Sequence, residues 1–131
     1  MARLLVVEDD QDVRDLISMR LLMVGHRVVA AGDATQALDT VDRIGAPDAY
    51  VLDVGLPDID GFRLLVRLRE MADIDAPAIF LSAHVHESEV GLGRAMGATY
   101  LTKPFVAGTL IGAIDKALVG RDSPAATEHG W

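Results

Sequence analysis

Short apolar segments alternate with longer segments of helical periodicity along most of the chain. The short segments are rich in Val, Ile, Leu and Ala and are too short for helices, so they predict buried strands. They are Leu4–Val7, Arg27–Ala31, Ala49–Leu52, Ala78–Leu81 and Thr99–Leu101. The segments between them place apolar residues three and four positions apart, which is the spacing of an amphipathic helix.

An aspartate precedes three of the predicted helices. Asp10, Asp33 and Asp60 each precede a segment of helical periodicity, and a carboxylate there can accept hydrogen bonds from the free N–H groups of the first turn. The fourth helical segment, around Glu87–Met96, contains two glycines and few large apolar residues. We therefore expect it to be the least stable helix of the molecule.

Five repeats of strand and then helix predict an α/β fold in which a parallel sheet is covered by helices on both faces. The length of 131 residues suits one domain. We assign that domain to residues 1–120. Residues 121–131 are polar, small and proline-containing, and they predict a disordered tail or a truncated linker.

Composition narrows the possible functions. The net charge of −8 argues against direct binding to nucleic acid or to anionic lipid. The chain has no cysteine, so neither disulfides nor thiolate metal sites are available. No apolar segment approaches the roughly 18 residues of a membrane span, and the N-terminus does not resemble a signal peptide. These features predict a cytoplasmic protein.

Charged and hydroxyl side chains follow four of the predicted strands. Glu8 and Asp9 follow the first, Asp53 the third, Ser82 the fourth and Lys103 the fifth. In an open parallel sheet the carboxyl ends of the strands meet at one edge, and ligands bind there. We therefore expect these five side chains to lie close together.

Such a group suits phosphoryl chemistry. Clustered carboxylates repel one another unless a cation neutralises them, and Mg²⁺ prefers oxygen ligands of this kind. Asp53 could then attack phosphorus, while Lys103 pairs with the phosphoryl oxygens. Taken singly, each residue also has a simpler explanation, such as a helix N-terminus or a turn. Their placement at the ends of four different strands favours a common site.

Four motifs resemble those of bacterial two-component response-regulator receiver domains. They are LLVVEDD at residues 4–10, VLDVGLPDIDG at 51–61, FLSA at 80–83 and YLTKPF at 100–105. The resemblance extends from residue 3 to about residue 119. It implies a flavodoxin-like doubly wound sheet with strand order 2-1-3-4-5.

The resemblance also implies roles for individual residues. Asp53 would be the phosphoryl acceptor. Mg²⁺ would be bound by Asp9 directly, by Glu8 mainly through water, by Asp53 and by the backbone carbonyl of Gly55. Asp10 gives a third consecutive acid, which we interpret as a helix cap and not as a ligand.

Further implied roles concern the response to phosphorylation. Ser82 would be the switch hydroxyl, Tyr100 an aromatic that moves inward on activation, and Lys103 the partner of the phosphoryl group. The Lys103–Pro104 peptide bond is expected to be cis. His84 would lie beside the phosphoryl group.

The implied partners are proteins. A sensor histidine kinase or a phosphotransfer protein would supply the phosphoryl group. The face formed by the fourth helix, fifth strand and fifth helix would then control a downstream effector or a fused output domain. The resemblance thus implies either a stand-alone regulator or the input part of a larger regulator, such as a DNA-binding one. It would catalyse only its own phosphorylation and dephosphorylation, as a monomer or weak dimer.

One alternative is a phosphatase of the haloacid dehalogenase type. The segment Asp58-Ile59-Asp60-Gly61 matches the DxDG pattern of that family, which also uses an aspartyl phosphate. There the first Asp ends a strand, whereas here Asp58 follows Pro57 and lies five residues beyond Asp53, which takes the strand-end position. Turnover of small phosphomonoesters would support this alternative.

Overall fold

Five strands and five helices alternate along the chain in a computed structural model that describes residues 2–72, 75–83 and 87–119. The predicted alternation is confirmed. In chain order the elements are β1 (Arg3–Val7), α1 (Gln11–Met23), β2 (Arg27–Ala31), α2 (Ala34–Ile44), β3 (Ala49–Asp53), α3 (Gly61–Ala72), β4 (Ala78–Ser82), α4 (Glu87–Ala95), β5 (Ala98–Thr102) and α5 (Ala107–Leu118).

The strands form one parallel sheet in the order β2-β1-β3-β4-β5, which confirms the predicted topology. The order reverses between β1 and β3, so the loops after these two strands leave the same edge in opposite directions and open a crevice there. Val7 pairs with Leu52, and Asp53 pairs with Leu81. The carboxyl ends of the three central strands are therefore level with one another.

Two apolar layers cover the faces of the sheet. Alternate residues of β3 point to opposite faces: Tyr50 and Leu52 join the layer beneath α2 and α3, while Ala49 and Val51 join the layer beneath α1 and α5. All of β1, β3 and β4 is buried. Burial on both faces explains why these strands have continuous apolar sequences and not alternating ones.

The predicted helix caps are present. The carboxylate of Asp10 accepts a hydrogen bond from the N–H of Val13, that of Asp33 from Gln36, and that of Asp60 from Arg63. Such caps typically stabilise a helix by about 1 kcal/mol each. They also fix where α1, α2 and α3 begin, directly beside the edge of the sheet that carries the acidic residues.

The described side chains of helix α4 bury little surface. Of its residues 90–95, whose side chains are described, only Gly93 is buried, and Leu92 is 47% exposed. The expectation that α4 is the least stable helix remains a prediction, which this shallow packing favours. Residues 121–131 lie outside the described ranges. Within those ranges, no helix is both long enough and apolar enough to cross a lipid bilayer.

Candidate functional site

Three carboxylates converge at the edge of the sheet where the strand order reverses. Glu8 and Asp9 directly follow β1, and Asp53 is the last residue of β3. One oxygen from each lies within 4.8 Å of the others. Glu8 is fully buried and Asp53 is 6% exposed, whereas Asp9 is exposed to solvent. The cluster is therefore open to solvent on the side of Asp9.

Lys103 connects two of these acids. Its Nζ donates a hydrogen bond to Oε1 of Glu8 and lies 3.6 Å from Oδ2 of Asp53. The backbone N–H of Lys103 donates to the carbonyl of Ser82 at 2.7 Å, so the end of β4 sets the position of the lysine. The Lys103–Pro104 peptide bond is cis, as predicted.

The environment shifts the pKa values of the two buried acids, Glu8 and Asp53, in opposite directions. Burial and the adjacent Asp53 carboxylate raise the pKa of Glu8 to about 8, against the opposing effect of Lys103. Burial also raises the pKa of Asp53, but hydrogen bonds with Glu8 and the Gly55 N–H, together with Lys103, lower it below its usual value. Asp53 is thus the carboxylate of the pair that stays ionised, as a nucleophile must.

The cluster has the properties of a site for a divalent cation. Within the described residues, no group donates a hydrogen bond to Oε2 of Glu8, although this oxygen is buried. A buried carboxylate oxygen without a donor is costly unless a proton or a cation lies beside it. The donor set consists of carboxylate oxygens, which suit a hard cation such as Mg²⁺ or Ca²⁺. The residues therefore fit a bound metal ion.

Of the remaining predicted residues, Gly55 and Ser82 lie at the same edge of the sheet as this cluster. Gly55 donates its N–H to Oδ1 of Asp53 at 3.1 Å. Ser82 ends β4 and is 7% exposed, one position beyond the residue that pairs with Asp53. Tyr100 lies on the edge strand β5, where it is partly buried against the layer that contains Phe80. His84 lies outside the described residues.

The two acids of the DxDG segment support helix ends. Both oxygens of Asp58 accept hydrogen bonds at the start of α2, from the N–H groups of Ala34 and Thr35 at 3.0 Å and from the Thr35 hydroxyl. Burial opposes the effect, but these hydrogen bonds lower the pKa of Asp58 to about 2. Asp60 caps α3. Neither acid is placed as a nucleophile, so the segment does not support the phosphatase alternative.

Two residues near the cluster were not predicted from the sequence. Arg14 of α1 donates a hydrogen bond from Nη1 to the carbonyl of Glu8 at 2.9 Å. Gly61 begins α3 so close to Asp53 that a Cβ there would lie 2.5 Å from the Asp53 carbonyl oxygen. In the sequence, Arg14 resembles any arginine on a helix surface. The only signal for Gly61 is its position directly after the predicted cap Asp60.

Comparison with known sequences agrees with this geometry. The family model described as the response regulator receiver domain matches residues 4–115. The chain therefore belongs to the response regulator receiver domain family. The functional prediction made from the sequence is confirmed at this level, and the phosphatase alternative is not.

Curated relatives are regulators from mycobacteria. The chain is 37% identical over 122 residues to the transcriptional regulatory protein TrcR of Mycobacterium tuberculosis, covering 92% of this chain and 46% of TrcR. It is 40% identical over 123 residues to the response regulator MprA of Mycobacterium sp. (strain KMS), covering 93% of this chain and 52% of MprA. The chain thus spans about half the length of these relatives.

Solved structures share the fold. The chemotaxis protein CheY4 of Vibrio cholerae superposes with a TM-score of 0.80 at 29% identity, covering 90% of this chain and 99% of CheY4. The BeF3-activated receiver domain of DrrB superposes with a TM-score of 0.79 at 28% identity, covering 90% of this chain and 97% of that one. The flavodoxin-like receiver fold is therefore confirmed.

Proposed function

We propose that this domain is a Mg²⁺-dependent phosphoryl acceptor in a two-component phosphorelay, with Asp53 as the accepting residue. The observation that carries the proposal is the convergence of Asp53, Glu8 and Asp9 beside Lys103. Asp9, Asp53, the carbonyl of Gly55 and, mainly through water, Glu8 would hold the ion. Bound Mg²⁺ would neutralise the charge of the carboxylates and of the incoming phosphoryl group.

The chemical step is transfer from a phosphohistidine of a sensor kinase or phosphotransfer protein. An oxygen of Asp53 forms the new bond to phosphorus as the bond from phosphorus to the imidazole nitrogen breaks. The nitrogen keeps the electron pair of that bond. The ammonium of Lys103, 3.6 Å from Oδ2 of Asp53, is positioned to pair with the phosphoryl oxygens. The chain thereby catalyses only its own phosphorylation and dephosphorylation.

The response to phosphorylation begins at Ser82. Its hydroxyl can bond to the phosphoryl group only after transfer, so the bond favours a different conformation of the β4–α4 region. Tyr100 packs behind this region and moves into the space that Ser82 leaves. The face formed by α4, β5 and α5 then controls an effector protein or a fused output domain.

A groove of about 420 Å³ suits docking of the phosphoryl donor. It runs between α1 and α5, and its walls are mainly apolar, with Leu16 and Ile17 on one side and Leu110 and Ile111 on the other. Lys103 also lines the groove, so a helix of the donor protein seated there lies next to the acidic cluster. This juxtaposition would bring a phosphohistidine to Asp53.

The test is labelling with acetyl phosphate, a small phosphoryl donor, followed by mass spectrometry. The wild type should gain one phosphoryl group when Mg²⁺ is present and none when it is chelated. Asp53→Asn should gain none. Asp58→Asn is the matched control and should be labelled like the wild type, because Asp58 only supports the start of α2. Labelling of Asp53→Asn, or loss of labelling in Asp58→Asn alone, would contradict the proposal.

A further inference from the structure

Arg14 reaches from the second turn of α1 back to the acidic turn that precedes this helix. Its Nη1 donates a hydrogen bond to the carbonyl oxygen of Glu8 at 2.9 Å, and its own backbone N–H donates to the carbonyl of Asp10 at 2.8 Å. The carbonyl of Glu8 belongs to the peptide group that joins Glu8 to Asp9. The guanidinium therefore holds the peptide plane between two of the three clustered acids.

Gly32 leaves room for this guanidinium. A Cβ at position 32 would lie only 2.9 Å from Nη1 of Arg14. The φ angle of Gly32 is outside the left-handed region, so its backbone conformation does not itself require glycine. The N–H of Gly32 donates to the side-chain oxygen of Gln36, which fixes the loop beside Arg14. We therefore attribute the glycine at position 32 to the space that the Arg14 guanidinium occupies.

The side chain of Glu8 contacts Lys103 and Asp53, and its position also depends on the backbone that carries it. Lys103 binds one carboxylate oxygen, and no described residue donates to the other. On the backbone, the N–H of Glu8 donates to the carbonyl of Ala31 at 3.1 Å, and Arg14 binds the carbonyl. The two backbone contacts on either side of Glu8 fix the direction in which Glu8 and Asp9 leave the strand.

We propose that Arg14 is a positioning residue for the metal site: by holding the Glu8–Asp9 peptide plane, it sets the separation of the carboxylates that bind the cation. The inference rests on the proposed function, because it assumes that this cluster binds Mg²⁺. A pre-arranged ligand set binds more tightly because less ordering accompanies binding. Loss of Arg14 therefore lowers the affinity for Mg²⁺ before it affects any later step.

The experiment measures Mg²⁺ affinity by calorimetry in the absence of a phosphoryl donor, together with the thermal unfolding midpoint of the metal-free protein. Arg14→Met should weaken Mg²⁺ binding by roughly tenfold, the size expected when one charge-assisted hydrogen bond is lost. Arg14→Lys should retain part of the affinity, because an ammonium can still donate to the carbonyl. Arg20→Met, an exposed position on the same helix, is the control and should bind like the wild type.

Gly32→Ala offers an independent route to the same effect. The new methyl group displaces the flexible end of Arg14 and not the backbone, so Mg²⁺ affinity should fall while the unfolding midpoint stays nearly unchanged. The double variant Arg14→Met/Gly32→Ala should bind Mg²⁺ no more weakly than Arg14→Met alone. The reason is that the methyl group then has no guanidinium to displace, and contacting residues show such non-additivity.

The outcomes separate this inference from the proposed function. Normal Mg²⁺ affinity in Arg14→Met, or additive losses in the double variant, would overturn the role of Arg14. A loss of affinity that only parallels a loss of thermal stability would do the same, since it would show a purely structural contact. Mg²⁺ binding by the wild type without labelling of Asp53 would overturn the proposed function alone, and a wild type that does not bind Mg²⁺ would overturn both.

Discussion

The position of Asp53 depends on Gly61, which has no side chain and packs against the end of β3. Gly61 donates its N–H to the carbonyl of Val54 at 3.0 Å, which brings the first turn of α3 against the end of β3. A Cβ at Gly61 would lie 2.5 Å from the carbonyl oxygen of Asp53 and 3.1 Å from Cα of Val54. Both are backbone atoms, so a larger residue could be accommodated only by moving the strand end that carries Asp53.

Gly61→Ala should therefore destabilise the protein by about 1–3 kcal/mol, the usual cost of forcing extra atoms into a packed region. It should also slow labelling of Asp53 by acetyl phosphate, because the carboxylate moves relative to Lys103. Denaturant unfolding and labelling rates measure the two effects. Gly112→Ala on α5 is the control, since a Cβ there meets nothing within 4 Å. Equal behaviour of the two variants would show that the close approach has no consequence.

The residues of the site differ in how well the sequence could predict them. Glu8, Asp9 and Asp53 could be placed together because each follows an apolar strand, and strand ends share one edge in a parallel sheet. The contact between Asp58 and the start of α2 joins residues 24 positions apart in two different loops. Such contacts depend on the distance between loops, which no local pattern contains.

At the level of secondary-structure elements, strand ends explain the small differences from the sequence prediction. β2 has its predicted bounds, whereas the other four strands each include one or two residues beyond the apolar segment. Asp53 pairs with Leu81, and Ser82 pairs with Thr102, so the ladder continues through polar residues. The apolar pattern indicates where a strand is buried, and backbone pairing decides where it ends. Asp53 and Ser82 consequently lie on the sheet itself, whereas Glu8, Asp9 and Lys103 directly follow its strands.

Helix α4 combines weak packing with glycine. Gly91 is exposed and a Cβ at this position would meet nothing within 4 Å, whereas a Cβ at Gly93 would contact Phe80 at 3.5 Å and Tyr100 at 3.8 Å. Glycine inside a helix is less favourable than alanine by about 0.5–1 kcal/mol. Gly91 therefore weakens α4 without any compensating contact, on the face proposed to respond to phosphorylation.

Gly91→Ala should stabilise α4 by up to about 1 kcal/mol and slow amide hydrogen exchange within Glu87–Ala95. It should also reduce the change in exchange that beryllofluoride, a mimic of the aspartyl phosphate, causes in α4. The reason is that a more stable helix favours the unphosphorylated arrangement. Exchange in α1 and α3 should stay unchanged and serves as the internal control. Unaltered exchange in α4 would show that its stability is set elsewhere.

At the scale of the whole molecule, His26 joins three parts of the fold at the edge of the sheet opposite the acidic cluster. Its Nδ1 accepts a hydrogen bond from the backbone N–H of Ala2 at 3.1 Å, and its Nε2 lies 4.0 Å from Asp115 of α5. Burial lowers the pKa of His26 below its usual 6.5, although Asp115 opposes the shift. Protonation at Nδ1 would also remove the acceptor for Ala2. The folded protein thus favours neutral His26.

The consequence is a pH-dependent contribution to stability with a defined sign. Because the pKa of His26 is lower in the folded state, the unfolded chain binds more protons than the folded one. The contribution of neutral His26 to stability is therefore complete above pH 6.5. It decreases as the pH falls through the pKa of His26 in the folded protein. Glu8 acts in the opposite direction because its pKa is raised, so the pH dependence of wild-type stability alone does not isolate His26.

His26→Asn keeps an acceptor near Ala2 but does not titrate. Urea unfolding of both proteins between pH 7.5 and 5.5 should show that the wild type loses more stability than His26→Asn. Parallel profiles would show that His26 titrates alike in the folded and unfolded chains.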